Sequence, residues 1–134
     1  MEDHRMSDFF TTNNSIMLQK SMDFLWTKQR VILDNISNVE TPNYKAEYVT
    51  FEDAFKAQIQ AAAQQDKPLS SMRNVLQSAR STIHTDSTES ARMDGNNVNI
   101  SEQQIELVRN AYQIQYVLDA INGGFTTMRT VIRG

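Results

Sequence analysis

Asn35-Ile36-Ser37-Asn38-Val39-Glu40-Thr41-Pro42-Asn43-Tyr44-Lys45 is the stretch on which the reading of this chain turns. Pro42 has no amide hydrogen to continue a helix, and its ring disfavours the helical conformation at Thr41. A helix arriving at Asn35 must therefore leave as an ordered turn between Asn38 and Tyr44. A type II turn, with Pro42 second and Asn43 third, needs positive φ at Asn43, and Asn tolerates that better than any residue except Gly.

Upstream of this exit, Leu18, Met22, Leu25, Gln29, Ile32 and Ile36 alternate spacings of four and three, with Trp26 and Leu33 to one side. That rhythm predicts a helix over about residues 15–37, ~35 Å long at 1.5 Å per residue. At the other end, Leu107, Ala111, Ile114, Leu118, Ile121, Phe125, Met128 and Ile132 keep the same alternation without a skip, predicting a second helix of ~50 Å. Ser101 and Gln104 have capping-box spacing, and Ile100 and Ile105 can close a staple around them, so the N-cap is placed at Ser101. Gly123-Gly124 interrupts neither seam nor register, which predicts a continuous helix with a neighbouring backbone close by. The first helix is too short to cover the second, and part of the longer seam must find its partner elsewhere.

The fold class expected is mainly α: two heptad-patterned terminal helices packed as a coiled-coil-like pair around an irregular, partly extended middle. The chain divides into a tail (1–14), the first helix with its exit turn (15–45), a middle arm (46–99) and the C-terminal helix (100–134). Within the arm, Glu47 to Phe55 reads as a short extended piece followed by a helical turn or two through Ala63. Gln64 to Glu89, polar and holding Pro68, reads as a surface arm with a short helix at Ser71–Ala79.

Composition narrows the function classes. The chain has 134 residues, 40% hydrophobic, with net charge −3 and no cysteine. The clustered basic field that nucleic acid requires is missing, as are thiol chemistry, disulfides and Cys-type zinc sites. Met1 to Arg5 leads into no apolar segment, which argues against a cleaved secretory signal and makes Met6 an alternative start; Val31-Ile32-Leu33 falls far short of a membrane span. His84 near Thr82, Thr85, Asp86 and Ser87 has the ingredients of a triad but no frame to hold one, and His4 is a tail residue. Asp94-Gly95-Asn96-Asn97-Val98-Asn99 resembles a calcium loop in composition only, with Val98 at a ligand position and Gly95 second, and is read as a turn. No catalytic, cofactor or metal residues are assigned.

The Asn35 to Lys45 stretch resembles the N-terminal signature of the bacterial flagellar rod and hook proteins, a helix end of the form N-I-x-N-x-x-T-P-G-Y-K, with Asn43 standing where that family usually has Gly. Met93-Asp94-Gly95-Asn96-Asn97-Val98-Asn99, followed by Glu102 and the terminal helix, is similar to the C-terminal half of a proximal-rod member. The sister rod protein FlgC typically lacks the D-G-N-N-V stretch and carries an insertion near the T-P turn. The resemblance covers about residues 15–55 and 92–134.

It implies a structural rod subunit of the flagellar basal body, exported without a cleaved signal and self-associating into a helical tube. Its implied neighbours are FlgC-like and distal rod proteins, a FliE-like adaptor and the membrane ring. It implies no nucleic acid partner and no direct membrane insertion. A small helical adaptor or chaperone would share the paired seams, but would need neither the Asn38–Lys45 turn nor the Asp94–Asn99 turn.

Overall fold

The computed structural model describes residues 13–51 and 77–133, and the side-chain surroundings of 16–51 and 77–123. Two helices, α1 (Asn13–Ser37) and α2 (Ile100–Arg133), are joined through a two-stranded sheet, β1 (Glu47–Thr50) and β2 (Thr82–Thr85). Contacts at Asn35–Gln103 (3.0 Å), Lys28–Glu106 (3.5 Å) and Leu25–Asn110 (2.9 Å) run down one helix as they run up the other, so the pair is antiparallel.

The core follows from which residues this pairing turns inward. Ile16, Phe24 and Leu25 of α1, Ile114 and Val117 of α2, Phe51 after β1 and Ala79 before β2 form one buried cluster, with Met17, Leu18, Met22, Val49 and Ile121 packed on it. Each large apolar side chain so buried contributes about 1.5–3 kcal/mol. Phe24 stacks on Phe51, ring centroids 5.1 Å apart, which ties the sheet to α1.

The inward face keeps most of the expected seam and departs from it by one position at two places on α2. On α2 it runs through Leu107, Asn110, Ile114, Val117 and Ile121, whereas Ala111 and Leu118 are exposed. On α1, Leu25 and Ile32 are buried, Leu18, Met22, Gln29 and Ile36 half-buried, and Phe24, Val31 and Asn35 complete the face; Trp26 and Leu33 lie outside it. The reason is Asn110, a polar residue at a position that apolar counting skips. It is fully buried, its Nδ2 donating to the Leu25 carbonyl, and among the described residues its Oδ1 has no partner.

Three further expectations change. α2 is capped by Asn99, whose Oδ1 accepts from the Glu102 amide at 3.2 Å while its carbonyl accepts from Gln103; Ser101 lies inside the helix and Ile105 is exposed, so no staple forms there. Within Gln64–Glu89, Thr82–Thr85 is a strand paired antiparallel with β1, Tyr48 opposite His84 and Val49 opposite Ile83. α2 is continuous through Gly123 as expected, but a Cβ there would meet nothing within 4 Å, so among the described residues no backbone comes close to Gly123. The expected helical turns through Ala63, most of the Ser71–Ala79 helix, and the side chains of Phe125, Met128 and Ile132 lie outside the described residues.

Candidate functional site: an asparagine clasp between two turns

The exit from α1 and the loop before α2 lock into each other. Asn43 has φ 62°, and the Tyr44 amide donates to the Thr41 carbonyl at 3.3 Å, the hydrogen bond that closes a β-turn around Pro42 and Asn43. Gly95, at φ 79°, makes the matching bend in the opposite loop. The two bends touch: the Asn43 amide donates to the Asp94 carbonyl at 2.7 Å, and Lys45 Nζ reaches the Gly95 carbonyl at 2.7 Å.

Three asparagines hold this joint, each using both the donor and the acceptor side of its amide. Asn35 is fully buried; its Nδ2 donates to the Glu47 carbonyl (2.7 Å) and Gln103 Oε1 (3.0 Å), and its Oδ1 accepts from the Glu47 amide (2.9 Å) and the Tyr44 hydroxyl (3.2 Å). Its amide is saturated. Asn96, also fully buried, donates to the carbonyls of Asn38 and Thr41, both at 2.8 Å, and accepts from the Val98 amide. Asn97 donates to the Asp86 and Thr88 carbonyls and accepts from the Ala46 amide at 2.6 Å.

The physical task is set by the helix end. The last carbonyls of a helix have no partner within it; here those of Asp34 and Ile36 receive the Asn38 and Val39 amides, and the carbonyls of the turn beyond receive Asn96, and Arg92, which donates to the Val39 carbonyl at 2.8 Å while pairing with Asp94 at 2.9 Å. Asn38 completes the exit, donating to the Asp34 carbonyl and accepting from the Thr41 hydroxyl. Ser90 Oγ donates to the Asn96 carbonyl and accepts from the Arg92 amide, fixing the loop from its other side. Val98 is buried beneath it.

Electrostatics follow from this packing. Burial raises the Tyr44 hydroxyl above its ordinary range, reinforced by the nearby Glu47 and Asp34 charges. Asp86 is held below the usual carboxylate range by the Thr88 hydroxyl and amide that donate to it. His84 stacks on Tyr48 and shares a 2.7 Å hydrogen bond with Thr50 across the sheet. Among the described residues no group of carboxylates and histidines is arranged to hold a metal, and no helix is long and apolar enough to cross a membrane.

The structure brings the turn residues of the two sequence motifs together: Asn35, Asn38, Thr41, Pro42, Asn43 and Tyr44 from one side, Asp94, Gly95, Asn96, Asn97 and Val98 from the other. Arg92, Ser90 and Gln103 are participants that sequence reading missed, and Asn99, read there only as part of the turn, is the cap. Of these only Asn99 carried a local signal, with Glu102 three residues on; the rest act across the chain.

No family model matches the chain. It is 32% identical over 110 residues to the flagellar basal body rod protein FlgB of Bacillus subtilis, covering 80% of this chain and 83% of that one. It is 34% identical over 106 residues to the protein of the same name from Borreliella burgdorferi, covering 72% and 77%. Against that of Aquifex aeolicus the identity is 26% over 118 residues, covering 88% and 91%.

Proposed function

The chain belongs to the FlgB family of flagellar basal body rod proteins, and on that footing we propose that it polymerises through its paired terminal helices to help build the proximal rod. As a family member it is a structural protein of the flagellar basal body, serving motility. The observation that carries the finer reading is the mismatch of the pair. Among the described residues α2 is 34 residues long against 25 for α1, and with Asn110 level with Leu25 it runs on past Asn13. The clasp fixes the angle at which the helices leave the joint, so the pair behaves as one rigid rodlet with an unequal end.

In a tube each subunit has neighbours on more than one side. The terminal part of α2 and the exposed positions Ala111 and Leu118 are assigned to such contacts, with Phe125, Met128 and Ile132 continuing the seam toward the C-terminus. Heterologous contacts of this kind need not close on themselves and so build filaments. The partners proposed are further copies of the chain, FlgC-like and distal rod proteins, a FliE-like adaptor and the membrane ring; the route proposed is export without a cleaved signal.

The test is a chain shortened after Asn122, which loses no residue of the described core or clasp. Purified basal bodies should contain the full chain and lack the shortened one at matched export, although the shortened chain still folds. Full incorporation of the shortened chain would overturn assembly through the helix end.

A further inference from the structure

Each helix carries an apolar face that the chain's own packing leaves outside. On α1, Val31 and Ile32 are buried while Trp26 and Leu33 are 52% and 42% exposed; on α2, Ile114 and Val117 are buried while Ile105, Val108, Tyr112 and Tyr116 are 56–76% exposed. At 3.6 residues per turn, each outer stripe lies about half a turn around its helix from the buried one. The two outer stripes therefore leave the pair on opposite sides. Copies with two unlike faces pointing apart meet face to unlike face, and every such contact leaves one face free at each end of the row.

The charges beside these stripes select both the partner and its direction. Asp23 and Arg30 flank Trp26, seven residues apart on α1; Glu102 and Arg109 flank Ile105, seven residues apart on α2. Asp23, Arg30 and Glu102 make no ion pair with another described residue, and Arg109 holds Glu106, one turn away on its own helix, which also reaches Lys28 of α1. Laid antiparallel, Asp23 meets Arg109 and Arg30 meets Glu102, with Trp26 seated between them on Ile105 and Val108. Laid parallel, Asp23 would meet Glu102 and Arg30 would meet Arg109, like on like. A repeat that preserves helix direction sets α1 of one copy antiparallel to α2 of the next, because the two are antiparallel within each copy. The direction the charges select is the direction such a repeat imposes.

We propose that a second copy of this chain lays its Trp26–Leu33 face on the Ile105–Tyr116 face, head to tail, as the lateral contact of the assembly. This rests on the reading that the helix pair polymerises, and the test separates the two. The chain has no native cysteine, so Trp26→Cys and Ile105→Cys are placed singly and together in the full chain, and basal bodies carrying each variant are oxidised mildly. The doubly substituted chain should give a ladder of dimer, trimer and longer products, and the single variants none. A dimer from Trp26→Cys alone, cross-links only to a different protein, or incorporation of the double variant without a ladder each overturns the face pairing while leaving the rod assignment standing. Absence of the unmodified chain from basal bodies overturns the rod assignment itself.

Because replacing Trp26 could itself block assembly, charge exchange supplies the second arm. Asp23→Arg and Arg109→Asp should each lower incorporation about tenfold, and the two together should restore it. Asp23 and Arg109 make no ion pair with each other within one copy, so restoration reports a contact between copies; failure to restore overturns the pairing.

Discussion

Asn96 shows most clearly what a single residue does in this molecule. Its two donors face two carbonyls in a site without water access, so Asn96→Asp, nearly identical in shape, sets a carboxylate oxygen against those carbonyls. A buried charge without a partner costs about 3–5 kcal/mol, and the urea midpoint of the free chain should fall accordingly; an unchanged midpoint would mean that the clasp does not hold the joint. Asn43 has the opposite character. It is exposed, and only its backbone conformation matters, so Asn43→Gly should leave stability nearly unchanged, whereas Asn43→Val should cost more than the ~1–2 kcal/mol that a left-handed conformation imposes on an ordinary L-residue.

Gly95→Ala combines both penalties, since its Cβ would lie 2.5 Å from Asn43 Oδ1 at φ 79°. Asn43→Gly in the same chain should remove the contact and leave the backbone strain, so the two changes should fail to add. Tyr44 gives the joint a pH signature. Its hydroxyl titrates higher in the folded chain than the ordinary 10.0, so the folded state retains a proton that the unfolded state has lost. Its contribution is complete below pH 10 and declines as pH rises through the folded value. The stability difference between the natural chain and Tyr44→Phe should therefore shrink in that alkaline window and hold steady below it.

At the scale of elements, the helix pair separates two kinds of apolar position. Val117 is buried and Leu118 is 39% exposed; Val117→Ala should therefore destabilise the free chain by about 2 kcal/mol and Leu118→Ala by under about 1. Equal effects in thermal unfolding would place the inward face wrongly. Asn110 sits in that face with one hydrogen bond and an orphaned oxygen, the arrangement by which a buried polar residue fixes register at some expense of stability. Asn110→Leu should accordingly raise the unfolding midpoint.

The same residues explain how far the sequence could be read. Helix existence and the T-P turn were legible, because periodicity and the Pro42-Asn43 pair act locally. The inward face was misplaced by one position only at Ala111 and Leu118, because apolar counting passes over Asn110 and stops at Ala111. The N-cap was misplaced because Asn99 with Glu102 and Ser101 with Gln104 offer the same spacing two residues apart. β2 was illegible because Thr82-Ile83-His84-Thr85 acquires its strand character from β1, more than thirty residues earlier. The clasp motifs were visible as two separate turns; that they bind each other is information only the folded chain contains.

The whole molecule is a joint from which two unequal helices run, and we propose that neighbours complete them. An isolated helix end is marginal in water, and local stability falls where packing ends. The most direct measurement is amide hydrogen exchange along α2, in the free chain and in assembled rods. Exchange should be slow from Asn99 to about Ile121 in both states, and fast from Asn122 to Ile132 in the free chain but slow there once assembled. Uniform protection from Leu107 to Ile132 in a dilute monomer, unchanged on assembly, would contradict the claim that the helix pair is completed by polymerisation.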